Sequence, residues 1–121
     1  LASSAASDVY KDSREQLITS AIAGWHNGIS KNYFRDRNYK ELLNENHWQA
    51  INKLSLLLAL AESLDYSQTN QIRGIQPRIE KKHAVLTLHA EGIPSIEMHQ
   101  IKQHIRWFAK VFGVELSVQL G

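Results

Sequence analysis

Apolar residues recur at helical spacing through the first half of this chain, and alternating, β-branched stretches first appear from Ile72, so a helical segment is expected to precede a small unit containing strands. Leu17, Ile18, Ala21, Ile22 and Trp25 form one helical face. Ser13 and Gln16 stand before it at the spacing of a reciprocal cap, in which each satisfies a free backbone N–H. Gly28 is a plausible stop. Residues 29–38 are polar and turn-rich, with Tyr33 and Phe34 as anchors, and Tyr39, Leu42 and Leu43 suggest a short helix; the first eleven residues show no periodicity. Asn46 and Gln49 repeat the cap and open a central helix that ends near Asp65. Its apolar positions Trp48, Ile51, Leu54, Leu57, Leu58, Ala61 and Leu64 run at helical spacing, with Leu56 and Leu60 on another side. Such a helix is expected to be covered on most of its circumference.

The polar run Asp65 to Gln71 marks a boundary, placed after Gln68, between a helical part, 1–68, and a second part, 69–121. Ile72 to Glu80 and Ala84 to Ala90 predict two strands joined by a turn at Lys81-Lys82-His83. Pro77 lacks the N–H that a ladder needs, which places its strand at an edge or a bulge. After Pro94, Ser95 is expected to cap one helix whose face is Ile101, Ile105, Phe108 and Phe112 and which stops at Gly113. Val114, Leu116, Val118 and Leu120 then alternate with polar residues as a strand with one buried face. The second part therefore reads as ββαβ with a three-stranded sheet, and the chain as an α+β protein. The third strand can lie parallel after a crossover or return antiparallel on the far edge.

A length of 121 residues, with 43% hydrophobic content, is enough to bury a core as one domain or two small packed units. No run approaches the roughly 20 apolar residues of a membrane span. The Ala/Ser-rich start lacks a signal peptide's pattern, and a first residue of Leu suggests that the natural protein continues upstream. Without cysteine there is no disulfide, thiol nucleophile or cysteine-based zinc site, which suits the cytoplasm. The net charge of +2 is unevenly placed: residues 1–68 carry seven Lys/Arg against eight Asp/Glu, and residues 69–121 carry seven against four. The basic excess lies entirely in the second part.

That excess nominates Arg78, Lys81, Lys82, Lys102, Arg106 and Lys110 as contacts for a polyanion. Lys102, Arg106 and Lys110, each four apart, would form one stripe on a single helix. The helix dipole by itself favours Lys110 and Arg106 near a C-terminus. Trp107 is the only candidate for base stacking near the stripe, so specific nucleic-acid binding is not expected. His99 and His104, five apart, do not share a face and are expected in solvent; His47, His83 and His89 stand alone in the sequence. No zinc spacing, phosphate-binding glycine loop or nucleophile elbow occurs, and no spacing of Ser, His and Asp nominates a nucleophile. His26 closes an apolar helix, and Glu62 and Asp65 lie three apart at the end of the central one, where they are either solvated or face a pocket.

Two segments, Ala-Gly-Trp-His-Asn-Gly at 23–28 and Leu-Leu-Leu-Ala-Leu-Ala-Glu-Ser-Leu-Asp at 56–65, resemble the C-terminal region of the exopolyphosphatase and guanosine pentaphosphate phosphatase family. Ser13-Arg14-Glu15-Gln16 looks like the helix start before that family's Tyr-His-Arg motif, and the Phe-Gly at 112–113 with its flanking strands looks like the family's tail. The resemblance implies that phosphatase chemistry belongs to two actin-like ATPase domains upstream, working with Mg. It also implies an HD-like helical segment, in which His26, Glu62 and Asp65 mark a vestigial site. Asn27, Ala59 and Glu62 depart from the family's Arg, Arg and Asp, and the upstream His and His-Asp ligands are missing, too few to close a metal site.

The resulting expectation is a non-catalytic accessory region with no cofactor of its own, contributing to binding of polyphosphate or guanosine penta/tetraphosphate and to a homodimer. Two alternatives stand beside it: an HD-type metal-dependent phosphohydrolase, and a protein-interaction or dimerisation module using an exposed sheet edge.

Overall fold

The first N–H groups of a helix need acceptors from outside it. In the computed structural model, which describes residues 14–24 and 43–121, Asn44 provides one for the central helix. Asn44 Oδ1 accepts from the His47 N–H at 3.0 Å, and the Asn44 N–H donates to His47 Nδ1 at 3.0 Å. Histidine thus takes the place that glutamate has in the usual reciprocal cap. The cap is at Asn44 rather than Asn46, two residues earlier than the spacing suggests, because His47 can return the bond as Glu or Gln would.

Helix α1 covers residues 14–24 and α2 runs Glu45–Leu64. Strands β1, Ile72–Glu80, and β2, His83–Ala90, follow. Helices α3, Ser95–Lys102, and α4, Ile105–Phe112, lead to β3, Glu115–Leu120. The expected Ser13 cap, Trp25, His26, Gly28 and the short helix near Tyr39 lie outside the described residues.

The chain packs as two compact units, 1–55 and 56–121, so the division falls within α2 and not in the polar turn after it. In the first unit Ala21, Leu43, Trp48 and Ile51 are buried together, with Leu17, Ile18 and Ile22 packed against them. In the second, Leu56 and Leu60 of α2 join Ala84, Leu88, Ile101 and Leu116. Leu54 and Leu57, each 48% exposed, and Leu58 were expected in the core but face outward. Apolar residues surround the middle of α2, so period alone did not select the packed side. The buried set Ser55, Leu56, Ala59, Leu60 and Ser63 runs at helical spacing one step away.

The sheet order is β1-β2-β3, with β1 antiparallel and β3 parallel to β2. The parallel placement requires a crossover, and α3 with α4 supply it. A bulge between Ile72 and Gly74 lets Ile72 and Ile75, three apart, share a face. Across the sheet that face reads Ile79–Ala84–Leu116, Pro77–Leu86–Val118 and Ile75–Leu88–Leu120. Ala84, Leu88 and Leu116 are buried, whereas Ile79 at the β1 edge is 72% exposed. Both α3 and α4 lie against β3. Pro77 stands on an edge strand, as its missing N–H requires.

The single helix expected from Ser95 to Phe112 is two. Ser95 is not its cap: Pro94 holds that position without a side-chain bond, and the Met98 N–H donates to the Pro94 carbonyl. At the break, the Gln103 and His104 N–H groups donate to the carbonyls three residues back, at 3.2 and 3.0 Å, before Phe108 restores the four-residue pattern to His104. A straight helix of that span would be about 27 Å long against about 20 Å of β3. The break keeps both Ile101 and Phe108 against the core. Gly113, at φ 66°, closes α4 in the left-handed conformation that glycine favours, and its N–H donates to Ala109.

His104, expected in solvent, is half-buried at this break with its ring edge toward Trp107, centroids 6.1 Å apart. Burial lowers its pKa from the ordinary 6.5. Below that value the unfolded chain binds a proton that the folded chain resists, so the stabilisation from neutral His104 is complete above about pH 6.5 and is lost as the pH falls toward the folded value. Urea unfolding should therefore show wild type losing more stability than His104→Asn between about pH 7 and about pH 5. Equal losses would contradict this.

Candidate functional site

Glu80 and His83 pair directly across the hairpin, leaving Lys81 and Lys82 as a two-residue loop, so His83 belongs to β2 and not to the turn. Lys81 adopts φ 53°, a left-handed conformation that costs a residue with a Cβ about 1–2 kcal/mol. Both lysines are exposed. Lys81, Lys82 and His83 line a shallow hollow with Ala109, Gly113 and Glu115, which sets the hairpin tip beside the last turn of α4, where Lys110 lies. The Glu115 N–H donates to the Lys82 carbonyl at 3.0 Å and ties the loop to the start of β3.

The remaining cations are less gathered. Arg78, on β1, is paired with Glu80 at 3.4 Å. Lys102 ends α3, while Arg106 and Lys110 share a face of α4, so the expected three-residue stripe is interrupted at Gln103 and His104. All three are exposed.

The face of the sheet opposite the core carries the polar alternates. Its rows are Glu80–His83–Glu115, Arg78–Val85–Ser117 and Gln76–Thr87–Gln119. His83 Nε2 and Ser117 Oγ are 3.0 Å apart, and His83 Nδ1 lies 3.7 Å from Glu115 Oε2. Gln119 Nε2 donates to Thr87 Oγ1 at 3.0 Å. The triplet of Ser117, His83 and Glu115 was not among the sequence candidates. Alternation puts each member on the polar side of its strand, but only the parallel pairing of β2 with β3 brings them together.

Of the vestigial set, Glu62 is exposed in the last turn of α2 and Asp65 is exposed just after it. His26 lies outside the described residues, so its position relative to them is not described. Among the described residues no group of three or more His, Asp or Glu side chains could hold a metal ion.

A buried carboxylate absent from the sequence candidates is Glu97, 2% exposed in the first turn of α3. Its oxygens accept from the Ser67 hydroxyl at 3.0 Å and the Ser67 N–H at 3.3 Å, which holds the turn after α2 against α3. Hydrogen bonds to a charged group contribute about 1.5–3 kcal/mol each, and a buried one left unpaired costs more. Glu97→Ala should lower stability by about 2–3 kcal/mol. In a double-mutant cycle, Glu97→Gln with Ser67→Ala should show coupling of about 1 kcal/mol or more; strict additivity in denaturant unfolding would remove the clamp.

Compared with known proteins, the chain matches no family model, no curated protein and no solved structure.

Proposed function

We propose that this chain is an accessory region of an exopolyphosphatase or guanosine pentaphosphate phosphatase, helping to hold polyphosphate or guanosine penta/tetraphosphate for phosphatase domains elsewhere in a cytoplasmic parent enzyme. In this reading it supplies no group to phosphate transfer, and the Mg belongs to those domains. The resemblance at residues 23–28 and 56–65 supports the family. The observation that carries the binding role is the gathering of Lys81 and Lys82 on an exposed hairpin tip beside the last turn of α4, the turn that bears Lys110. Flexible ammonium groups at such a projection can follow the repeating charge of a phosphate chain while counterions are released. The HD-like character of the helical part, with His26, Glu62 and Asp65 as its remnant, belongs to the same reading.

A homodimer is the second part of the proposal. Ile75 and Ile79 leave apolar surface at the β1 edge of the sheet, which a second copy can cover. Pro77, Arg78 and Glu80 on the same strand discourage indiscriminate strand addition.

Titration of the chain with polyphosphate at low ionic strength, sized in parallel by light scattering, tests both parts. If about three cations are neutralised, a tenfold rise in salt should weaken binding on the order of 10²-fold. The Lys81→Glu/Lys82→Glu variant should bind more weakly still, and the scattering mass should be that of a dimer. Absence of binding at low salt would end the polyanion role, and a monomer at high concentration would end the dimer.

A further inference from the structure

We propose that Ser117, His83 and Glu115 form a nucleophilic site that hydrolyses short-chain carboxylic esters. This inference stands apart from the polyanion reading, which uses neither Ser117 nor His83 as a reacting group. It rests on the order of the contacts: hydroxyl to Nε2 at 3.0 Å, then Nδ1 to a carboxylate at 3.7 Å. In the tautomer that carries its proton on Nδ1, on the side of Glu115, Nε2 is the acceptor for the Ser117 hydroxyl. That is the polarity a serine nucleophile needs, and it is recognised by geometry and not by chain order. Contacts of this kind are often loose before substrate binds.

The strand ladder adds a second element. The Glu115 N–H donates to Lys82 and the Gly121 N–H to Leu88, so in β3 the odd-numbered N–H groups turn toward β2. The even-numbered ones, by alternation, turn to the outer side of an edge strand. Val118 N–H, immediately after Ser117, is therefore directed away from β2, where it can donate to an oxyanion. Val85 lies between Arg78 and Ser117 in its row and gives a small apolar floor beside the hydroxyl. A hollow on the β1 side of His83, across Val85 from Ser117, is lined by Arg78, Glu80, Lys81, His83 and Val85. Ser117 stands on the sheet face that no helix covers within this unit's packing, and an open face suits short, unhindered acyl groups.

In the reaction, Ser117 Oγ attacks the ester carbonyl carbon as its proton passes to His83 Nε2, and the carbonyl oxygen becomes an oxyanion facing the Val118 N–H. Collapse breaks the carbon–alkoxy bond, and His83 returns the proton to the leaving alcohol. Water, deprotonated by Nε2, then attacks the acyl-serine ester; the acid is released and Ser117 recovers its proton. Ser117 and His83 are the catalytic residues, and Glu115 is a positioning residue acting through His83.

The test is reaction of the full chain with p-nitrophenyl acetate and, separately, with a fluorophosphonate, read by p-nitrophenolate release, intact mass and peptide mapping. A burst of product and a single adduct on Ser117 are expected, both absent in Ser117→Ala. His83→Gln should slow labelling about 10²-fold or more. Glu115→Gln should slow it less, with Glu115→Asp restoring most of the rate. All three positions face away from the core, so unchanged far-UV circular dichroism should accompany the losses. No adduct on Ser117, or labelling of folded His83→Gln at the wild-type rate, overturns the proposal.

Discussion

The burial of Leu56 and Leu60 of α2 with Ala84, Leu88, Ile101 and Leu116 is the contact on which the second unit depends. The apolar face of the sheet needs a cover, and α3 and α4 lie against β3 at one side of that face. The end of α2 therefore belongs to the same packing unit as the sheet. Side chains alternate along a strand, so a one-residue slip would move Ala84 and Leu88 out of the core and turn His83 inward. By fixing which residues of β2 are covered, the leucines also fix which residues of β2 and β3 meet on the open face. The geometry of His83 and Ser117 is in that sense a consequence of apolar packing on the other side of the sheet.

The two faces divide the chemistry. Apolar rows lie under the helices and fade toward β1, where Ile79 meets solvent. Polar rows on the other face place a hydroxyl, an imidazole and a carboxylate in order. The hairpin loop joins the two regions, with Lys81 and Lys82 at its tip and the Lys82 carbonyl bonded to β3. The two lysines and the His83–Ser117 pair thus lie at one corner of the second unit.

Much of the second unit was legible in the sequence. β1 is legible over Ile72–Glu80 from its β-branched, alternating residues and the polar turn after them, Pro77 marks it as an edge strand, and the stop at Gly113 follows from glycine's tolerance of positive φ. The rest was hidden for physical reasons. Leucines all around α2 gave no contrast between Leu57 and Leu56. The break at Gln103 has no sequence signal, since neither Gly nor Pro stands between Ser95 and Phe112. Glu97 looks like any first-turn acid until Ser67 is seen beside it. His83, Glu115 and Ser117 become neighbours only once the third strand is known to be parallel, a choice the alternation of β3 left open.

The most direct test of the α2–sheet contact is native-state hydrogen exchange on Leu56→Ala in the full chain. A fully buried leucine truncated to alanine typically costs about 3 kcal/mol. The account predicts that amides of β2 and of residues 56–64 lose that protection together, as one cooperative unit. Loss confined to α2, with β2 protected as in wild type, would contradict it.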